Sequence, residues 1–411
     1  MDSHQKLKIA LIVKWHSEKV GYAPNCLSRA YIEQGHEVHI FTTKYQTYFS
    51  HPNYKEIYEK YLGPNILSEG EFMDGNVHVH RLPSWRFGNI IWINSIWKTL
   101  KKVQPDIVQS FDINEPHTVK LALFARFFKY KLFTANHFIL ISFRLLGGWK
   151  KLDFKKKWYI RIMFRLPGLI IRSVSKKCYA VTKDAKKLAS LFFAFKPEQV
   201  EVSTLGVDTN LYHPVSSNDV VTRNKLRDEL GYSDSDIVCV FSGKITEEKS
   251  PLVLAEAIQV LQKKGKQFKA LFIGSGELKD EVAKFENCRV LNFIPSHELS
   301  DYYRASDIAV WPRSVTTSIL DAAACALPVV ISDQVFAYTS YDNSEVEYQH
   351  QPNILAAKYK TNDAVALADE LLKLENTELR NKIGTIVNAR VEQNSSWKAI
   401  ANKRVKDYIN L

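Results

Sequence analysis

At 411 residues the chain is longer than one hydrophobic core usually fills, so two domains are expected. Hydrophobic residues make up 45% and charged residues 24%, which excludes a disordered or fibrous chain. The formal net charge of +12 is uneven: residues 144–177 hold eleven Lys/Arg against one acid, Asp153. A local basic block points to a particular anionic partner or surface rather than to general stickiness.

The opening MDSHQKLKIALIVKW has neither the long apolar core nor the small-residue cleavage site of a signal peptide. No apolar run reaches the ~18 residues that would span a bilayer. The expected location is cytoplasmic, at most peripheral at the inner face of a membrane. Cys26, Cys178, Cys239, Cys288 and Cys325 are scattered without a CxxC, so neither disulfides nor structural zinc are expected.

Short β-rich runs alternate with helical patterns along the whole chain. Residues 8–13 read as a strand, 24–34 as a helix and 36–41 as the next strand, with Gly35 between them. Further strands are predicted at 77–80, 106–110, 131–134, 178–181 and 200–203. After a joint near residue 205 the pattern restarts, with strands at 237–241, 268–273, 289–293, 307–311 and 328–331. Apolar, β-branched strands separated by helices predict two Rossmann-like, doubly wound parallel sheets. The expected division is residues 1–204, residues 205–390 and a closing helix over 391–411 that packs back toward the first domain. In such sheets ligands bind beyond the carboxyl ends of the strands.

Two loops concentrate the chemistry. Gly243, Lys244 and Lys249 flank a strand-to-helix turn, with Ser250 expected as N-cap and Pro251 as the first helical residue. Cations beside a helix start oppose its dipole, which suits an anion such as a diphosphate in the loop. The alternative is that the lysines pair with Glu247 and Glu248. The second loop runs from Arg313 through Thr316, Thr317 and Ser318 to Asp321. Its backbone amides would favour an anion too, while Ser318 and Asp321 also fit a capping box.

These segments resemble the nucleotide-sugar half of a GT-B glycosyltransferase of the retaining family 4 type. In that family a basic pair five residues apart holds the diphosphate, as Lys244 and Lys249 would. The family's paired glutamates lead into EAMACGxPVV; here the stretch reads Asp321-Ala-Ala-Ala-Cys-Ala-Leu-Pro-Val-Val330. Residues 205–214, Ile273-Gly-Ser-Gly276, Gln34-Gly-His-Glu-Val38 and the Trp397 segment are similar to family motifs as well. The resemblance implies a GT-B fold and transfer of a sugar, with retention, from a nucleoside-diphosphate sugar of the UDP or GDP type to a glycan, glycolipid or lipid-linked acceptor. It implies no cofactor; no Asp-x-Asp metal motif is suitably placed, and metal independence is expected. It assigns Lys244 and Lys249 to the diphosphate, Asp321 to the ribose, Phe293 and Ile294 to the base, and His137 to the donor sugar near the reacting carbon. Gly21 would let the backbone approach the phosphates. Arg313 stands where relatives carry the first glutamate, Asp321 replaces the second, and Ala326 replaces a glycine. A binding protein without catalysis is therefore the alternative reading.

Residues 154–166 place Phe154, Trp158, Ile162 and Leu166 four apart, beside Lys155, Lys156, Lys157, Arg161 and Arg165. Pro167 is expected to end this helix. A basic, aromatic helix suits an anionic membrane interface, where the headgroup potential attracts cations. Phe143, Leu145, Leu146, Trp149 and the tryptophans Trp85, Trp92 and Trp97 would widen such a surface. The alternative is an apolar stripe that joins the core. The same block raises nucleic-acid binding, but no recognisable nucleic-acid motif accompanies it and none is expected.

Overall fold

The structure is a computed structural model that describes residues 6–19, 21–88, 90–138, 153–313, 316–333 and 355–411. The chain divides into two compact units. One comprises the chain up to Leu205 together with Ile400–Leu411; the other is Gly206–Ala399.

The first unit contains β1 (Lys8–Ile12), β2 (Glu37–Thr43), β3 (Gly70–Asp74), β4 (Val77–Leu82) and the pair β5 (Ser84–Phe87) and β6 (Ile90–Ile93). It continues with β7 (Ile107–Ser110), β8 (Lys131–Asn136), β9 (Ser175–Ala180) and β10 (Val200–Val202). The main sheet runs β10-β9-β8-β7-β1-β2-β4-β3, parallel except where β3 pairs with β4. Ile9 lies opposite Val38 and Ile107, so β1 sits mid-sheet. Both faces are covered, which is why these strands read as continuous apolar runs. Val108, Leu132 and Cys178 pack with Leu121, Leu188 and Phe192 of the covering helices.

The second unit contains β11 (Ile237–Ser242), β12 (Phe268–Ile273), β13 (Cys288–Leu291), β14 (Ile308–Trp311), β15 (Val329–Ser332) and β16 (Leu355–Tyr359). They form one parallel sheet in the order β13-β12-β11-β14-β15-β16. Val238, Val240, Leu271 and Val310 pack against Leu254, Ile258 and Ile319.

Three expectations change. The 391–411 helix is two elements, because the helix Thr377–Asn394 stops and Trp397–Asn410 begins afresh. In the first unit the Tyr408 hydroxyl bonds to that of Tyr31 at 2.9 Å and donates to Gln109 Oε1. Pro167 does not end its helix either. The helix Phe154–Ile160 passes through a π turn, Arg161–Arg165, into Leu166–Val174. The wider turn sits just before the proline, whose ring would clash with the carbonyl four residues back in a regular α-helix. Strands β3, β5, β6 and β16 were not expected. Cys26, Cys178, Cys239 and Cys325 are buried, and all five thiols are free.

Candidate active site

In the second unit β11 ends at Ser242, and Gly243 turns the chain at φ +143°. The following loop lies on the Gly274–Leu278 loop: Ile245 N donates to Ser275 O at 3.0 Å, and Leu278 N donates to Ile245 O at 3.1 Å. Contact is so close that a β-carbon on Gly276 would stand 2.2 Å from Ile245 O. Glu277 Oε1 accepts from Glu247 N at 3.1 Å, fixing the 3-10 turn Glu247–Lys249. Ser250 follows in a left-handed conformation, φ +50°, and Pro251 opens the helix Pro251–Lys263. Ser250 therefore does not cap the helix as expected; the tight turn directs its hydroxyl back to Glu247 O at 3.2 Å. Lys244 is exposed and Lys249 half-buried, and among the described residues neither forms an ion pair with Glu247 or Glu248.

The second loop is tied to the first at its root. Trp311 Nε1, at the end of buried β14, donates to Ser242 O at 3.0 Å, and the hydroxyls of Ser242 and Tyr303 share a bond at 2.6 Å. Arg313 is half-buried and residues 314–315 lie outside the described residues. Thr316 O accepts from Ile319 N at 3.2 Å, and Thr317 O from Leu320 N at 2.9 Å. The helix Ser318–Ala324 follows Thr317, so Ser318 is its first residue and not its cap. The expected capping box with Asp321 is absent. Asp321 is half-buried, and burial first and then the charge of Asp208 push its carboxyl up to about 7. Asp208 belongs to the Leu205–Pro214 joint and accepts from Asn210 N at 3.1 Å. Past β13, Phe293 is exposed at 65% and Ile294 half-buried, leaving an open apolar edge. Ala326 has φ +60°, the conformation in which a glycine would be unstrained.

In the first unit His137 follows β8. Its Nδ1 lies 2.8 Å from Phe111 O and 3.3 Å from Asp112 Oδ1, and its ring is parallel to Phe111. A proton on Nδ1 serves both acceptors, leaving Nε2 as the acceptor in the neutral ring. Around it, at the ends of β1 and β7, stands a group that the motifs had not singled out. Lys14 donates to Glu115 Oε1 at 2.9 Å, and buried His117 has an Nδ1 with no hydrogen-bond partner among the described residues. Burial raises the pKa of Glu115 and lowers that of His117 to about 4. Burial also works against Asp112 ionising, but the bond and charge of His137, then His117 and Lys14, hold its carboxyl low. The signal was present as acid, acid and histidine in the residues just after β7. Gly21 is exposed, and a β-carbon there would meet nothing within 4 Å.

The basic helix is moored by Ile160, Ile171 and Gly168; a β-carbon on Gly168 would lie 2.2 Å from Phe193 O. Phe154, Trp158, Ile162 and Leu166 instead face outward, exposed at 74, 49, 45 and 56%. The stripe does not join the core. Lys155, Lys156, Arg161 and Arg165 are exposed and Lys157 half-buried. Phe143, Leu145, Leu146 and Trp149 lie outside the described residues. Among the described residues, no helix is long and apolar enough to cross a membrane.

Two family descriptions match this chain: Glycosyltransferase Family 4 over residues 26–211 and Glycosyl transferases group 1 over residues 236–376. The chain belongs to the group 1 glycosyltransferases. Among its relatives, a D-inositol 3-phosphate glycosyltransferase of Catenulispora acidiphila is 29% identical over 180 residues, 39% of this chain and 41% of the relative. The amylovoran biosynthesis glycosyltransferase AmsK of Erwinia amylovora is 25% identical over 197 residues, 44% of this chain and 43% of the relative. The matched stretches thus span less than half of either relative. The fold is GT-B. A glycosyltransferase from Rickettsia africae is 16% identical, has a TM-score of 0.63 and covers 98% of both chains. Anabaena HepE in complex with UDP-glucose, also 16% identical, has a TM-score of 0.59 and covers 98% of this chain and all of its own.

Proposed function

We propose that this protein transfers a sugar from a nucleoside-diphosphate sugar to a glycan, glycolipid or lipid-linked acceptor, with retention at the anomeric carbon and without a metal ion. The observation that carries the reading is the turn bearing Lys244 and Lys249: its backbone is fixed by the glycine loop beneath it, and the cations are not paired with the turn's own acids. A diphosphate supplies the missing charge, and as the nucleotide leaves, the same lysines stabilise the charge it gains. Asp321 accepts from the ribose hydroxyls, Phe293 and Ile294 flank the base, and Arg313 and the amides of Thr316, Thr317 and Ser318 add to the anion field. His137 is assigned to the transferred sugar, and Gly21 to the approach of the backbone to the phosphates. UDP is favoured over GDP because a GT-B protein of the same fold, HepE, has been seen with UDP-glucose.

The exposed basic and aromatic helix is assigned to an anionic membrane surface, which fits a lipid-borne acceptor. Its rings would enter the interface while Lys155, Lys156, Arg161 and Arg165 meet headgroups.

Thermal unfolding with UDP, GDP, ADP and CDP in turn, with chelator present, tests the donor site. One nucleotide stabilises the wild type and loses its effect in Lys249→Ala. A chain that responds to none of them does not bind a donor. A chain that binds a nucleotide and turns over no sugar is the non-catalytic alternative, which the Arg313 replacement favours.

A further inference from the structure

Beyond the carboxyl ends of β1 and β2 lies a set of tyrosines that the donor site does not use. Tyr48 and Tyr58 stack at 4.6 Å between ring centres and 22° between planes. Tyr22 meets Tyr48 edge-on, and their hydroxyls are hydrogen-bonded. The segment that carries Tyr48 and Tyr58 is closed on itself. Gln46 N donates to Asn65 O at 3.0 Å, Leu67 N to Lys44 O at 2.8 Å, and the buried Tyr54 hydroxyl to Gly63 O at 2.9 Å. Tyr48 holds φ +61°, unusual for a side chain of its size, and the residue remains 45% exposed although Tyr58 stacks on its ring. Covering the surface that Tyr48 leaves exposed would therefore still be favourable, since ring burial is where an aromatic's stabilisation comes from.

We infer that Tyr22, Tyr48 and Tyr58 form a platform for a neutral pyranose ring of the acceptor. This rests on the transferase reading given above. A pyranose offers one face of C–H bonds and a rim of hydroxyls. The exposed surface of Tyr48 matches the first, and the paired hydroxyls of Tyr22 and Tyr48 match the second. Burial, and then the bond to Tyr48, push the Tyr22 hydroxyl up, so it remains a neutral donor and acceptor. The hydrogen-bonding groups of the stack itself are phenol hydroxyls, which suit the hydroxyls of an uncharged sugar. Because the closed loop fixes the rings before any ligand arrives, little ordering opposes binding.

The test uses the full chain and saturation-transfer NMR with methyl glucoside, methyl galactoside and methyl mannoside as probes. The expected result is transfer to the ring C–H protons of at least one probe, kept in Tyr48→Phe and lost in Tyr48→Ala. Equal transfer in wild type and Tyr48→Ala, or no transfer in the wild type, overturns the platform. Circular dichroism of both variants confirms folding. UDP-dependent stabilisation is read in parallel and should not change in Tyr48→Ala. Saturation transfer that depends on Tyr48 in a chain that no nucleotide stabilises would uphold the sugar platform and sink the transferase reading.

Discussion

A β-carbon added to Gly274 would stand 1.9 Å from the carbonyl oxygen of Gly243. The two loops that carry the proposed diphosphate site are therefore held together through backbone, at a separation that only glycine permits. Gly274 also has φ +148°. Gly274→Ala should cost about 3 kcal/mol or more. Gly21→Ala, with open space around it, should stay within about 0.5 kcal/mol of wild type. Urea unfolding of both variants decides; equal costs would mean that the interlocked loops are not what stabilises this edge.

Lys249→Ala should leave folding without ligand nearly unchanged, because the side chain is half-buried and forms no ion pair with Glu247 or Glu248. The loss should appear only with nucleotide: a ligand at 100 times its dissociation constant adds about 2.7 kcal/mol to the wild type, and little to the variant. Calorimetric titration with UDP reads the same difference directly.

Asp321 gives a pH signature. Its folded pKa of about 7 is above the ordinary carboxylate value, so between about pH 4 and pH 7 the unfolded chain has released a proton that the folded chain retains. This contribution to stability is full below pH 4 and is lost as pH rises to 7, at up to about 1.4 kcal/mol per pH unit. Asp321→Asn should flatten that part of the stability profile. If the carboxylate accepts from a ribose, UDP binding should also release a proton near pH 6.5 in the wild type, detectable by calorimetry in buffers of different ionisation enthalpy, and release none in the variant.

Ala326→Gly should stabilise the chain by roughly 0.5–1 kcal/mol, since the left-handed backbone there penalises a β-carbon. A thermal melt suffices, and a lower Tm would show that the alanine methyl contributes packing that outweighs the strain.

Vesicles containing phosphatidylglycerol should retain the wild type at low salt and release it as salt rises. Trp158→Ala and Phe154→Ala should weaken retention at every salt concentration, and Arg161→Ala should chiefly change its salt dependence. Co-sedimentation independent of all three would place the membrane contact elsewhere.

Much of the sheet framework was legible because strands such as β1, β11 and β12 are buried on both faces and consist of apolar runs. The β5–β6 pair was not, since Trp85, Phe87 and Ile90 are exposed and no core periodicity marks them. Pro167 was misleading for a local reason: the widened turn that accommodates it has no signature in residue type. At the site, the spacing of Lys244 and Lys249 pointed to their turn, but the environment of Asp321 depends on Asp208, far away in sequence. The same holds for Asp112 and His137, which meet only because β7 and β8 are neighbours.

Tyr408 completes the surroundings of Tyr31 and Gln109, yet the whole second unit lies between them in the chain. The first unit therefore cannot finish its core in the order in which it is synthesised. A nascent chain paused within the second unit leaves Tyr31 and Gln109 waiting for a partner not yet made, and final consolidation of the first unit falls after Ile400–Leu411 emerges.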